Sequence, residues 1–206
     1  MSSTTEAKPS GPRPRIEGLS DLIFGLALSI GAIQLVGTPP QSDAQLISAL
    51  SAFAFSFFIL ISVWNRYTSI ASVVPVETTL MIRLNMLLLF LVVVEPYLFN
   101  LLVIQGTATS PVGPEVSAIY GLDLGGMNFV LAYFTHILTC EEKKLIPREL
   151  IRKYAFRRDM LLIVGLIFAV SAIPIFWTIS LYGVPLRILL WFLTIPVFWL
   201  ANILRR

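Results

Sequence analysis

Six stretches of the chain are continuously apolar, and most polar residues gather between them. They run about Leu19 to Gly37, Ala44 to Val63, Leu80 to Ile104, Val116 to Thr139, Met160 to Ile179 and Val184 to Leu204. A helix rises about 1.5 Å per residue, so about 20 residues cross a hydrocarbon core of ~30 Å, and each stretch approaches that length. The pattern predicts six transmembrane helices. Ser48, Ser51, Ser56 and Ser62 interrupt the second, and Asp123, Gly125, Gly126 and Asn128 the fourth. These two are therefore expected to face protein rather than lipid. Within the first, Leu26, Ile30 and Ile33 are spaced i, i+4, i+7 and share one face, which Leu22 extends and Ser29 flanks. In a membrane helix almost every face is apolar, so this spacing alone separates a pore from a core or lipid-facing stripe only weakly. Gly25, Ala27, Gly31 and Ala32 leave room for neighbouring helices on other faces.

Composition narrows the class. Of 206 residues 56% are hydrophobic and 13% charged, with a mean hydropathy of +0.82, and such a chain cannot cover itself with an ordinary soluble surface. The basic residues fall on one side of the predicted spans. Lys8, Arg13 and Arg15 precede the first, Arg66 and Arg83 flank the second connection, and Lys143, Lys144, Arg148, Arg152, Lys153, Arg157 and Arg158 join the fourth to the fifth. The chain closes on Arg205 and Arg206, whereas the connections at 38–43 and 105–115 contain no Lys or Arg, and only Arg187 lies near the last one. The positive-inside rule then puts both termini in the cytoplasm. Topology also accounts for the net charge of +3, so no nucleic-acid partner is implied. Residues 1–14 are polar and proline-rich, as in a disordered cytoplasmic tail, and residues 15–206 form one transmembrane domain.

Little catalytic chemistry is visible. His136 is the only histidine, Cys140 the only cysteine, and the hydrolase, zinc-protease and phosphate-loop motifs are absent. No enzyme, cofactor or small-molecule substrate is expected. His136 is read as an interfacial polar residue or as a proton sensor. Glu95 lies inside the third span directly before Pro96, where a freed carbonyl and a kink are expected, and its carboxylate serves either packing or a wet pathway. Asp123 poses the same choice, with Tyr120 a turn away as a candidate partner. At the mouth of the first span stands Asp21. An ionised Asp in hydrocarbon costs about 3 kcal/mol on insertion scales unless it is paired or wetted. Arg15 and Ser20 can supply a local polar network that anchors this helix against its neighbours.

Arg15-x-x-x-Leu19-Ser20-Asp21 resembles the Arg-x-x-x-Phe-Ser-Asp motif that opens the first helix in the transmembrane protein 175 family of potassium channels. Ser56-Phe57 followed by Trp64 resembles that family's second helix, and Leu84-Asn85-x-Leu87-x-Leu89 with Pro96 resembles its third. The likeness covers mainly residues 15–104, and six helices with both ends inside agree with single-repeat prokaryotic members. Two departures stand out. Leu19 replaces the usual Phe, and the histidine generally found about a turn after the Trp is missing, with Tyr67 and Thr68 in that neighbourhood. The network around Asp21 is then expected to be completed by Trp64, Asn65 or Asn85.

The resemblance implies a homotetramer in which the first helix lines a central pore. Like single-repeat members, the chain lacks a T-V-G-Y-G filter. The family's constricting positions fall on Leu26, Ile30 and Ile33, and its hydroxyl-bearing position on Ser29, while Arg15, Leu19, Ser20 and Asp21 anchor the helix. The implied activity is a potassium leak modestly selective over sodium, with potassium a transient permeant and no fixed metal ligands. Its setting would be multi-pass in a cell membrane, that of a prokaryote by the single-repeat length, with lipid as the other partner. Two other classes stay open at this point. One is a proton-coupled secondary transporter using Glu95 and Asp123. The other is a non-conducting scaffold whose basic connection from Lys143 to Arg158 binds anionic lipid or a cytoplasmic partner.

Overall fold

A computed structural model describes residues 15–37, 40–73, 78–105, 111–140, 146–181 and 184–194. The expected tail, residues 1–14, and the second half of the expected sixth helix lie outside them. The described elements are α1 (Arg15–Gly37), α2 (Asp43–Ala71), α3 (Thr79–Gln105), α4 (Gly113–Thr139), α5 (Arg148–Ser171), α6 (Ile175–Thr178) and α7 (Leu186–Phe192). A short antiparallel pair, β1 (Ser180–Leu181) with β2 (Val184–Pro185), sits between α6 and α7. The class is all-α, as the apolar pattern predicts.

Local chemistry sets the helix ends. Ser42 caps α2 by accepting from the Gln45 amide at 3.3 Å, while the Gln45 side chain accepts from the Gln41 amide at 2.7 Å. Two backbone donors at the start of the helix are thereby satisfied. Pro114 stands in the first turn of α4, where its missing N–H costs nothing. Pro174 follows the last turn of α5 and cannot continue it.

The core is built on α4, which packs between α3 and α5. Its Tyr120, Leu124, Met127, Leu131, Phe134 and Leu138 recur at helical spacing and are buried with Leu88 and Val92 of α3 and Leu161, Val164 and Phe168 of α5. Contact with α5 is close because Gly125 has no side chain. A Cβ there would lie 3.2 Å from the Gly165 carbonyl. On the far side of α3, α1 packs against α2 and α3.

Outside this core, Ile47, Phe58, Phe90, Leu122 and Leu166 all remain exposed. Such apolar surface suits a lipid or protein surround better than water. By length and hydropathy α2 and the Thr79–Ile104 stretch of α3 can each cross a membrane, and a shorter apolar helical stretch covers Gly18–Ile33.

Several expectations are corrected here. The second helix is longer than 44–63, because Trp64 to Ala71 continue it in the same register. Of its four interrupting serines only Ser56 is buried in the protomer, so α2 does not hide its serine face there. The fourth does face protein, with Asp123, Gly125 and Asn128 all buried. The fifth was expected over 160–179 but runs from Arg148 to Ser171. Its charged first half is a partly exposed helix that an apolar count misses, and the chain breaks before Pro174. In the sixth, Val184 and Pro185 pair with β1, and the helix begins only at Leu186.

Candidate functional site

The two faces of α1 differ sharply. Ser20, Phe24 and Ala27 are buried, with Ile23 and Leu28 partly so. Leu22, Leu26 and Ile33 are 69%, 53% and 67% exposed, Ser29 is exposed and Ile30 half-buried. Leu22, Leu26, Ser29, Ile30 and Ile33 fall within an arc of about 100° on an ideal helix. Among the described residues, Leu22, Leu26, Ser29 and Ile33 of that stripe stay uncovered. The Ser29 hydroxyl donates to the Gly25 carbonyl at 2.8 Å. With its proton engaged there, the oxygen presents lone pairs outward, which suits a cation and not an anion.

One end of α1 carries a polar cluster that runs from buried Ser20 to exposed Asp21. Asp21 Oδ1 accepts from Trp64 Nε1 at 3.1 Å. The Ser20 hydroxyl lies 2.8 Å from the Tyr67 hydroxyl and accepts from Asn85 Nδ2 at 3.3 Å. Three helices therefore meet at two adjacent residues of α1. Spacing along α2 explains part of this, since Trp64 and Tyr67 are three apart and share a face. Tyr67 also sets its ring 5.8 Å from that of Phe24. Asn65 stays on the exposed side of α2, with its carbonyl accepting from Thr68. Leu19 is exposed. Arg15 opens α1, and the anchoring role expected of its side chain lies outside what the structure describes.

Deeper in the bundle are two carboxylates. Glu95 is fully buried and accepts from the Ser56 hydroxyl of α2 at 2.9 Å and the Tyr120 hydroxyl of α4 at 3.3 Å. Of the two roles expected for it, packing or a wet pathway, these contacts fit packing: the carboxylate ties α2, α3 and α4 together. Tyr120 therefore serves Glu95 and not Asp123, the partner expected from sequence spacing. Asp123 is buried with neither carboxylate oxygen hydrogen-bonded. Along the helix from this pair, Asn128 accepts from Arg66 at 3.3 Å. His136 is exposed, with Nδ1 3.4 Å from Arg158 Nη1.

Sequence reasoning missed Arg187, which is 1% exposed. Its Nε donates to the Ser171 carbonyl at 2.6 Å, and Nη1 to the Pro114 carbonyl at 2.5 Å and the Ser117 hydroxyl at 2.6 Å. Nη2 donates to the carbonyls of Ala172 at 3.1 Å and Ile173 at 3.2 Å. All five guanidinium hydrogens are thereby used. Its carbonyl partners at 171–173 belong to the end of α5, where helical bonding leaves acceptors orphaned and a cation is favoured. One signal pointed here: Arg187 is the single basic residue near the otherwise Lys- and Arg-free connections.

Residues 15–96 match the family described as endosomal/lysosomal potassium channel TMEM175. The resemblance read from the Arg15 to Asp21 motif is borne out over that range. A crystallised variant of the potassium channel MtTMEM175, bound to a nanobody–MBP fusion, superposes with a TM-score of 0.67 at 18% identity, over 100% of this chain and 99% of that one. A TMEM175 homolog from Chamaesiphon minutus, described as a lysosomal potassium-selective channel, gives 0.60 at 20% identity over 91% and 97%. The fold is thus that of these membrane channels. The matched family consists of ion channels and not enzymes. Among curated proteins none matches.

Proposed function

We propose that the chain, kin to the transmembrane protein 175 channels over residues 15–96, is a potassium channel that assembles as a homotetramer around four copies of α1. One observation carries the reading. Leu22, Leu26, Ser29 and Ile33 lie open on the protomer with Ile30 half-buried at the edge of the stripe, while the opposite face of α1 is packed on α2 and α3.

In this assembly Leu26, Ile30 and Ile33 form rings of branched aliphatic side chains at the axis, a narrow and poorly wetted neck. Ions pass when the rings widen enough to admit a partly hydrated cation. The Ser29 oxygens supply weak ligands between the rings, enough for a modest preference for potassium over sodium. Ser20 and Asp21, held by Tyr67, Asn85 and Trp64, set the tilt and depth of α1. They act on assembly and gating, not on the ion. Both termini lie in the cytoplasm by the basic bias of the sequence, with six spans in a cell membrane.

Thiol modification tests the pore face. In a Cys140→Ser background, cysteines at 26, 30 and 33 should react with a charged water-soluble reagent and lose current, whereas cysteines at 24 and 27 should not. Block from 24 or 27 with none from 26, 30 and 33 would overturn the assignment.

A further inference from the structure

Away from α1, the seam between α4 and α5 holds a groove of about 400 Å³ lined by Phe129, Ala132, Tyr133, His136, Arg158 and Leu162. Its lining is almost wholly apolar, and its charged groups stand at the mouth. Arg158 and His136 stand at one end, with Leu162 one turn further in along α5 and Phe129 two turns further in along α4. Seven residues of helix span about 10 Å, so the apolar floor extends that far from the charged mouth. Gly165 sets the depth of that floor. A Cβ there would lie 2.8 Å from the Phe129 ring, so its absence lets the ring lie against α5.

The mouth is organised for an anion. Asp159 Oδ1 accepts from Arg158 Nε at 2.9 Å and Nη2 at 2.8 Å, which fixes the guanidinium plane. Nη1 is turned to the His136 side. By sequence the first half of α5 carries Arg148, Arg152, Lys153, Arg157 and Arg158 against Glu149 and Asp159, a basic surplus on the cytoplasmic side of the proposed topology. α1 packs on α2 and α3, so the groove lies on a face remote from the proposed pore helix.

We propose that this groove is a binding site for an anionic glycerophospholipid, its phosphate on Arg158 and His136 and one acyl chain along Leu162, Ala132 and Phe129. The inference rests on the membrane topology proposed above and is independent of which helix lines the pore. Charge complementarity selects the headgroup, since a phosphate oxygen can take the Nη1 hydrogens while Asp159 holds the other edge. The apolar floor selects an amphiphile over a free anion, because inorganic phosphate has nothing to bury there.

The test is lipid retention by the full-length oligomer, read by native mass spectrometry after exchange from detergent containing phosphatidylglycerol or phosphatidylcholine with the same acyl chains. Wild type should retain phosphatidylglycerol preferentially. Arg158→Gln should lower that retention about tenfold, the equivalent of one charge-assisted hydrogen bond, and Arg158→Lys should restore part of it. Leu162→Trp, which fills the floor and leaves the charge, should lower retention of both lipids. Thermal unfolding without added lipid checks that each variant is folded. Equal retention of the two lipids, phosphatidylglycerol retention unchanged in both Arg158→Gln and Leu162→Trp, or equal stabilisation by inorganic phosphate alone would each overturn the site. None of these readouts depends on current, so failure here is separable from failure of the channel reading.

Discussion

The Ser20 hydroxyl of α1 lies 2.8 Å from the Tyr67 hydroxyl of α2, three residues after Trp64. Tyr67 thus supplies a polar partner while its ring packs on Phe24. Tyr67→Phe keeps the packing and removes the hydroxyl, so it should cost about 1 kcal/mol of stability. Ser20→Ala should cost more, because it leaves both Tyr67 and Asn85 without their shared partner. Thermal unfolding of the purified oligomer ranks the two, and a Tyr67→Phe loss at least as large would argue against this wiring.

Asp21 and Trp64 make the other half of the anchor. Asp21→Ala should remove a hydrogen bond to a charged acceptor, about 1.5–3 kcal/mol, and either weaken the tetramer or abolish current. Size-exclusion chromatography and bilayer recording read both. A stable tetramer with unchanged conductance would remove Asp21 from assembly and gating.

Part of this contact cluster was legible in the sequence, and the reason is local. Ser20 and Asp21 sit next to each other, and Trp64 and Tyr67 share a face by helical spacing. The sequence offered Trp64, Asn65 and Asn85 as partners and not Tyr67, because which side chains point inward depends on how α2 and α3 rotate about their axes. Asn65 turns outward for that reason. The stripe of Leu26, Ile30 and Ile33 was legible as a face, but its exposure required the packing of α1 on α2 and α3. The extent of α5 was hidden because its first half is charged, and an apolar span does not mark where a helix begins in water.

Asn in place of Ile30 should wet the proposed neck and raise leak several-fold, since an amide ring stabilises water where branched aliphatic side chains expel it. Single-channel recording at matched protein density is the check. An unchanged conductance would remove Ile30 from the constriction.

Arg187 should be among the least replaceable residues of the chain. Arg187→Met removes the donor to the carbonyls of Ser171, Ala172 and Ile173, while Pro114 keeps the Ser117 hydroxyl, and the buried Ser171 carbonyl left unpaired costs about 1–3 kcal/mol. Little folded oligomer is expected. Arg187→Lys should recover a part, because three donors cannot serve five acceptors. Wild-type yield and unfolding temperature from Arg187→Met would show that the carbonyls find other donors.

Asp123 behaves oppositely. Both carboxylate oxygens lack hydrogen-bond partners, so the neutral Asp123→Asn should hold or raise the unfolding temperature. Truncating Glu95 to Ala, by contrast, removes the acceptor shared by Ser56 and Tyr120 and should lower it. A clear loss in Asp123→Asn would mean that the charged carboxylate stabilises the fold.

The central claim is a passive, potassium-preferring pore. Its most direct test is the reversal potential of the purified oligomer in a planar bilayer with potassium on one side opposed by sodium on the other. The account predicts a current whose reversal potential shifts toward the potassium equilibrium value and whose amplitude rises in Ile30→Asn. A folded oligomer that passes no current, or one that reverses at zero with no preference between the two cations, would contradict it.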